Sequence, residues 1–152
     1  MSANDEEVTE FIRLRALNQH LAIVIDSDKR TSRDRINETK SRIVSEFSTG
    51  GAVAWVTAGR EIENYIDYDL LQRSVSQVHP TIYGKPAGGG RYDHAIAFLR
   101  PKQRGKSTGG RLEVADKVKV AKIVSSQPAN LNVLGLHKHV EALVAMIRAA
   151  NL

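Results

Sequence analysis

Two aspartates separated by one residue close the apolar run Leu21-Ala22-Ile23-Val24-Ile25-Asp26-Ser27-Asp28. Such a run suits a parallel strand covered on both faces, and in open α/β sheets chemistry gathers beyond the carboxyl ends of strands. Side chains alternate along an extended chain, so Asp26 and Asp28 are expected on the same side, close enough to share one or two divalent cations. Hard oxygen ligands of this kind select magnesium or manganese. The plainer alternative is a solvated turn in which one aspartate caps the next helix.

A second acidic pair, Glu61 and Glu63, follows the apolar run Ala52-Val53-Ala54-Trp55-Val56-Thr57. Two adjacent parallel strands, each ending in paired carboxylates, would gather four acids around one crevice. Two cations about 3.5–4 Å apart there could activate water on one side of a phosphorus and stabilise the leaving oxygen on the other. If residues 61 to 63 are already helical, side chains two apart diverge by roughly 200° and Glu61, nearer the strand end, serves the site alone. Both glutamates would also suit a helix N-terminus for its dipole alone.

The elements that must position these acids alternate along the chain. Val8, Phe11, Ile12 and Arg15 share one helical face after the acidic start Asn4-Asp5-Glu6-Glu7, so a helix is expected ahead of the aspartate strand. Ile36, Ile43, Val44 and Phe47 form an apolar stripe for a helix that Gly50-Gly51 ends. A second strand follows over residues 52–57. Leu70, Leu71, Val75 and Val78 predict a helix from Tyr68 to His79, stopped by Pro80. Ala95 to Leu99 is a short apolar run of either type, while 116–126 and 137–150 read as helices. This order predicts one α/β layered domain over residues 1–152, with a mostly parallel sheet flanked by helices.

Cations are concentrated between Gly84 and Arg111. Lys85, Arg91, Arg100, Lys102, Arg104, Lys106 and Arg111 face the single acid Asp93, in a chain whose whole excess is +5. Interspersed Gly and Pro residues mark this stretch as a flexible basic loop within the domain. A phosphodiester substrate near an acidic metal site would need such cations to hold its backbone, although an ordinary solvated loop has the same composition.

Composition removes several alternatives. The chain has 152 residues, enough for one core, and with aromatics at only 5% that core must rest on aliphatic side chains. There is no cysteine, which excludes disulfides and thiol chemistry. The first twenty residues hold acids and no apolar segment, and no run approaches about 18 apolar residues, so the expectation is a cytoplasmic protein without membrane contact. The five histidines lack zinc spacing, and Arg104-Gly105-Lys106-Ser107-Thr108 lacks the leading glycine and the strand-to-helix context of a phosphate-binding loop.

Three strings together carry a resemblance: Ile25-Asp26-Ser27-Asp28-Lys29-Arg30, then Trp55-Val56-Thr57-Ala58-Gly59-Arg60-Glu61-Ile62-Glu63-Asn64-Tyr65-Ile66, then Asp116-Lys117-Val118-Lys119-Val120-Ala121. They resemble the TOPRIM-type nuclease domain at the carboxyl end of OLD-family (overcoming lysogenization defect) ATP-dependent endonucleases. Arg60 to Tyr65 is the specific part, and the closing helix from Leu136 is similar as well. The resemblance implies a TOPRIM-like fold and metal-dependent cleavage of DNA or RNA. It also implies Mg2+ or Mn2+ at Asp26, Asp28, Glu61 and Glu63, with Lys117 assisting phosphate or transition-state charge, and an upstream or separately encoded ATPase chain as partner. The family's first βαβ unit, with its strand-end glutamate, has no counterpart ahead of Asp26, and Asp5, Glu6, Glu7 and Glu10 cannot be matched to that glutamate.

Two other functions fit the same residues. One is a nucleic-acid-binding module or remnant without chemistry; the other is a phosphotransfer enzyme with Asp26 as nucleophile. An incomplete sheet would leave an edge strand exposed, so docking on a partner or a homo-oligomer is the physical expectation.

Overall fold

The computed structural model describes residues 9–10, 20–47, 52–101 and 110–151. Val8, Phe11, Ile12 and Arg15, on which the first helix was expected, lie outside them, as do Gly50-Gly51 and residues 102–109.

Strands β1 (Ala22–Ile25) and β2 (Val53–Val56) pair in parallel, with Ala22 opposite Val53 and Ile25 opposite Val56. Helix α1 (Glu38–Phe47) makes the crossover that a parallel pair requires. It buries Ile43 and Phe47 against Leu21, Ile23, Ile25, Ala52 and Ala54. The expectation that β1 is covered on both faces fails: Ala22 and Val24 are exposed, because α1 covers only the Ile23–Ile25 side.

Three further strands form a separate sheet in the order β3 (Lys85–Pro86), β4 (Ala97–Leu99), β5 (Leu112–Val114). Both pairings are antiparallel. The described strands therefore belong to a mixed α/β protein in which only β1 and β2 run in parallel. The connection from β3 to β4 contains no helix to carry the chain back across the sheet, so the chain reverses instead. Part of the expected loop over 84–111 is thus strand, with Pro86 on an edge where its missing N–H costs no ladder bond.

Helices α2 (Tyr68–Val78) and α3 (Lys117–Ser125) cover this second sheet. Leu71 and Val75 from α2, Val120 from α3, and Ile96 and Phe98 beside and within β4 form the second apolar cluster. Each helix starts at an aspartate: Asp67 accepts from the Leu70 N–H at 3.1 Å and Asp116 from the Lys119 N–H at 3.0 Å. A 3-10 turn (Ile62–Tyr65) links the two clusters after β2. The last helix, α4 (Leu136–Ala150), follows another 3-10 turn (Val133–Gly135) and lies on β2 through His139, whose ring stacks on Trp55 with centroids 4.5 Å apart. No described helix is long and apolar enough to cross a membrane.

Candidate acidic site at the end of the parallel strands

Beyond β1 and β2 the backbone is stitched together by short polar residues. Thr57 N–H donates to Ile25 O at 2.9 Å, Ser27 N–H donates to Thr57 Oγ1 at 2.8 Å, and both hydroxyls donate to Gly59 O. Ser27 and Thr57 are buried. The chain folds back so tightly at Gly59 that a Cβ there would lie 2.6 Å from Cβ of Asn64 and 2.9 Å from Arg91 O. This turn delivers Arg60 O to the Asp28 N–H at 2.9 Å and fixes the two acidic segments side by side.

Asp26 accepts from the Ile62 N–H at 2.8 Å through Oδ1, so the first aspartate meets the second acidic segment directly. Asp28 does not follow it. With φ 54° it leaves the extended conformation, and the alternation that would have aligned the two carboxylates ends at that residue. Its carboxylate is exposed and pairs with Lys40, whose ammonium also donates to Asp26 O.

Glu61 and Glu63 diverge as well. Glu61 is extended just ahead of the 3-10 turn, and its Oε1 accepts from the Ala95 N–H at 2.7 Å and lies 2.9 Å from His94 Nδ1. Glu63 is inside the turn, with its side chain only 8% exposed, and Oε1 lies 2.7 Å from Lys117 Nζ. Its other oxygen, Oε2, is buried and makes no hydrogen bond. Where helical divergence was expected to favour Glu61, it is Glu63 that carries an unused buried oxygen.

Lys117 opens α3, positioned by the Asp116 cap and by the Asp116 N–H donating to His79 Nε2 at 3.1 Å. Its ammonium is held protonated above its ordinary range, first by the hydrogen bond to Glu63. The charges of Glu63, Asp26 and Glu61 add to this against the cost of burial. Three carboxylates from two segments thus share the field of one lysine from a third. Glu63 also lines a mainly apolar cavity of about 320 Å³ with Ile62, Ile96, Lys117 and Val120.

Among the described residues, no three His, Asp or Glu side chains are already gathered as a metal cage. The donor set nevertheless fits a hard cation in kind: oxygen ligands only, one of them a buried carboxylate oxygen with no partner. Of the basic residues expected to hold a backbone, Lys85 is exposed on β3, Arg91 Nε donates to Ala58 O, and Arg100 and Arg111 both pair with Glu113. Lys102, Arg104 and Lys106 lie outside the described residues.

Several contributors carried no sequence signal of their own. Ser27 and Thr57 look like any strand-end hydroxyls, while His94 and Lys40 reach the site from elsewhere in the chain. Alternation offered a hint for Ser27, since the residue between two outward aspartates points back into the sheet. Comparison with known proteins finds no match to a family model, to a curated protein or to a solved structure.

Proposed function

We propose that the chain is a divalent-metal-dependent phosphodiester hydrolase of TOPRIM type, the nuclease part of an OLD-like system that works with an ATPase chain. The observation that carries this reading is the buried, unpartnered Oε2 of Glu63, whose partner Lys117 also feels the charges of Asp26 and Glu61. A buried carboxylate oxygen without a donor is costly unless something else satisfies it, and a cation does so.

Asp26, Glu61 and Glu63 would hold Mg2+ or Mn2+, with Asp28 joining by turning from Lys40. Bound there, the metal supplies Lewis-acid polarisation of a phosphoryl oxygen and a more acidic bound water. Lys117 pairs with Glu63, and its long side chain would let the ammonium turn to a phosphate oxygen while α3 keeps its base fixed. The Ala95 N–H orients Glu61, with His94 alongside.

The test is cleavage of supercoiled plasmid with manganese or magnesium, beside calorimetric metal binding. Asp26→Ala and Glu63→Gln are expected to lower metal affinity at least about tenfold and to abolish cleavage. Unchanged metal affinity in both variants would end this reading. A second reading, nucleic-acid binding without chemistry, is favoured by the pairing of Asp28 with Lys40 rather than with Asp26. Its signature is duplex binding that survives Asp26→Ala with no cleavage in either protein.

A further inference from the structure

Among the described residues, a dense run of cations begins directly after Asp28. Residues 29–42 hold Lys29, Arg30, Arg33, Arg35, Lys40 and Arg42 against Asp34 and Glu38. Arg30, Arg33 and Arg35 are exposed, and among the described residues none of the three forms an ion pair. On the other described basic stretch, Arg100 and Arg111 already share Glu113 and Arg91 is spent on a carbonyl.

Residues 29–37 form a loop of defined shape that runs into the first turns of α1. Lys29 N–H donates to Ser27 Oγ at its start, and Lys40 returns to Asp26 O and the Asp28 carboxylate at its end, so both feet stand on the acidic strand end. In between, the Asp34 carboxylate accepts from the Arg30 N–H at 2.7 Å, the Thr31 N–H at 3.0 Å and the Thr31 hydroxyl at 2.7 Å. The Asp34 carboxylate is therefore engaged in building the turn. Arg33 lies five residues from Asp28 and Arg35 five from Lys40, a reach of at most about 18 Å, or roughly half a turn of duplex.

We propose that the 29–37 loop, with the start of α1 behind it, is a phosphate-backbone clamp for double-stranded nucleic acid, in which the Asp34-built turn presents Arg30, Arg33 and Arg35 beside the acidic site. This rests on the nucleic-acid reading above and assigns its partner surface to a segment other than 84–111. Guanidinium groups suit phosphate because their planar donors bind two oxygens at once. Three of them a few residues apart can follow consecutive phosphates without reading sequence.

The experiment is fluorescence-anisotropy titration of duplex DNA of about two helical turns with the full chain, in chelator, between about 50 and 200 mM salt. The variants are the triple Arg30→Gln/Arg33→Gln/Arg35→Gln, the matched triple Lys85→Gln/Arg91→Gln/Arg100→Gln, and Asp34→Ala, each checked for native circular dichroism. The first triple is expected to reduce the slope of log affinity against log salt by about 2–3 and to weaken low-salt binding about 10- to 100-fold, with a smaller effect in the second. Asp34→Ala is expected to weaken binding several-fold although it makes the protein more positive. The proposal is overturned by a wild-type slope in the first triple, by tighter binding of Asp34→Ala, or by a wild type that binds anionic phosphatidylserine vesicles but no duplex. The chelator keeps the two readings apart: duplex binding with the expected slopes, but no cleavage once metal is restored, would sink the hydrolase and leave the clamp standing.

Discussion

Glu63 and Lys117 form the pair on which the site turns, and they are unequal partners. The carboxylate is almost wholly buried while the lysine side chain is 57% exposed, so solvent screens much of their attraction. What matters energetically is the carboxylate that remains when the lysine is lost. Lys117→Met leaves Glu63 buried without a cation, and a loss of about 2 kcal/mol of stability is expected in urea unfolding. The double variant Lys117→Met/Glu63→Gln should recover part of that loss, since a neutral amide is cheaper to bury. The ammonium is held charged above its ordinary 10.5, chiefly by the hydrogen bond to Glu63. A raised value in the folded state means that the stabilisation is complete below 10.5 and is lost as pH rises through the folded value. Urea midpoints compared at pH 9 and 11, in wild type and in Lys117→Met, check this: the variant should be less sensitive over that window.

At the scale of elements, α4 has no fully buried residue and meets β2 through a ring stack. His139 lies on Trp55, which in turn donates to the Tyr65 hydroxyl at 3.1 Å, and Tyr65 accepts the Ala58 N–H at 2.8 Å. The helix is thus coupled through Trp55 and Tyr65 to the turn that carries Glu63 and follows Glu61. Burial pulls His139 below its ordinary 6.5, because losing water around the ring disfavours its charged form. A lowered value means that the stabilisation is full above 6.5 and is lost as pH falls below it toward the folded value. Amide exchange across α4 should therefore speed up on going from pH 7.5 to 5.5 once corrected for intrinsic rates. His139→Ala should show faster exchange already at the higher pH, with a stability loss of about 1 kcal/mol. Exchange in α4 that is unchanged by the substitution would mean that the stack does not hold the helix.

For the whole molecule, the acidic site lies at the seam between two apolar clusters, one under α1 and the other between α2, α3 and β4. Arg60 N–H donates to Arg91 O at 3.1 Å and Ala95 N–H donates to Glu61, so the first unit touches the second at the catalytic candidates themselves. Lys117 comes from the second cluster and Asp26 from the first. Packing far from the acids should therefore control them. Phe98, fully buried in the second cluster, is the test residue: Phe98→Ala is expected to cost about 3–5 kcal/mol and to weaken metal binding without altering any ligand. Two separate unfolding transitions, with metal affinity following only the first cluster, would show that the seam does not couple them.

Most of the element list was legible in the sequence, because apolar spacing is a local signal. The stripe of Leu71, Val75 and Val78 and the runs that became β1 and β2 are legible without knowing what they touch. It also placed Asp26, Glu61, Glu63 and Lys117 at the ends of elements, where side chains from different parts of a chain can meet. The tertiary structure alone decided the rest. Strands β3 and β5 hold two or three residues each, too few to show a period, and they exist because β4 offers them a partner. Covering of β1 on one face only depends on where α1 and α4 land. The separation of Asp28 from Asp26 follows from one positive φ angle, and the pairing of Glu63 with Lys117 joins residues 54 positions apart. Local pattern fixes which residues stand at an element's end; only packing fixes which of those ends face one another.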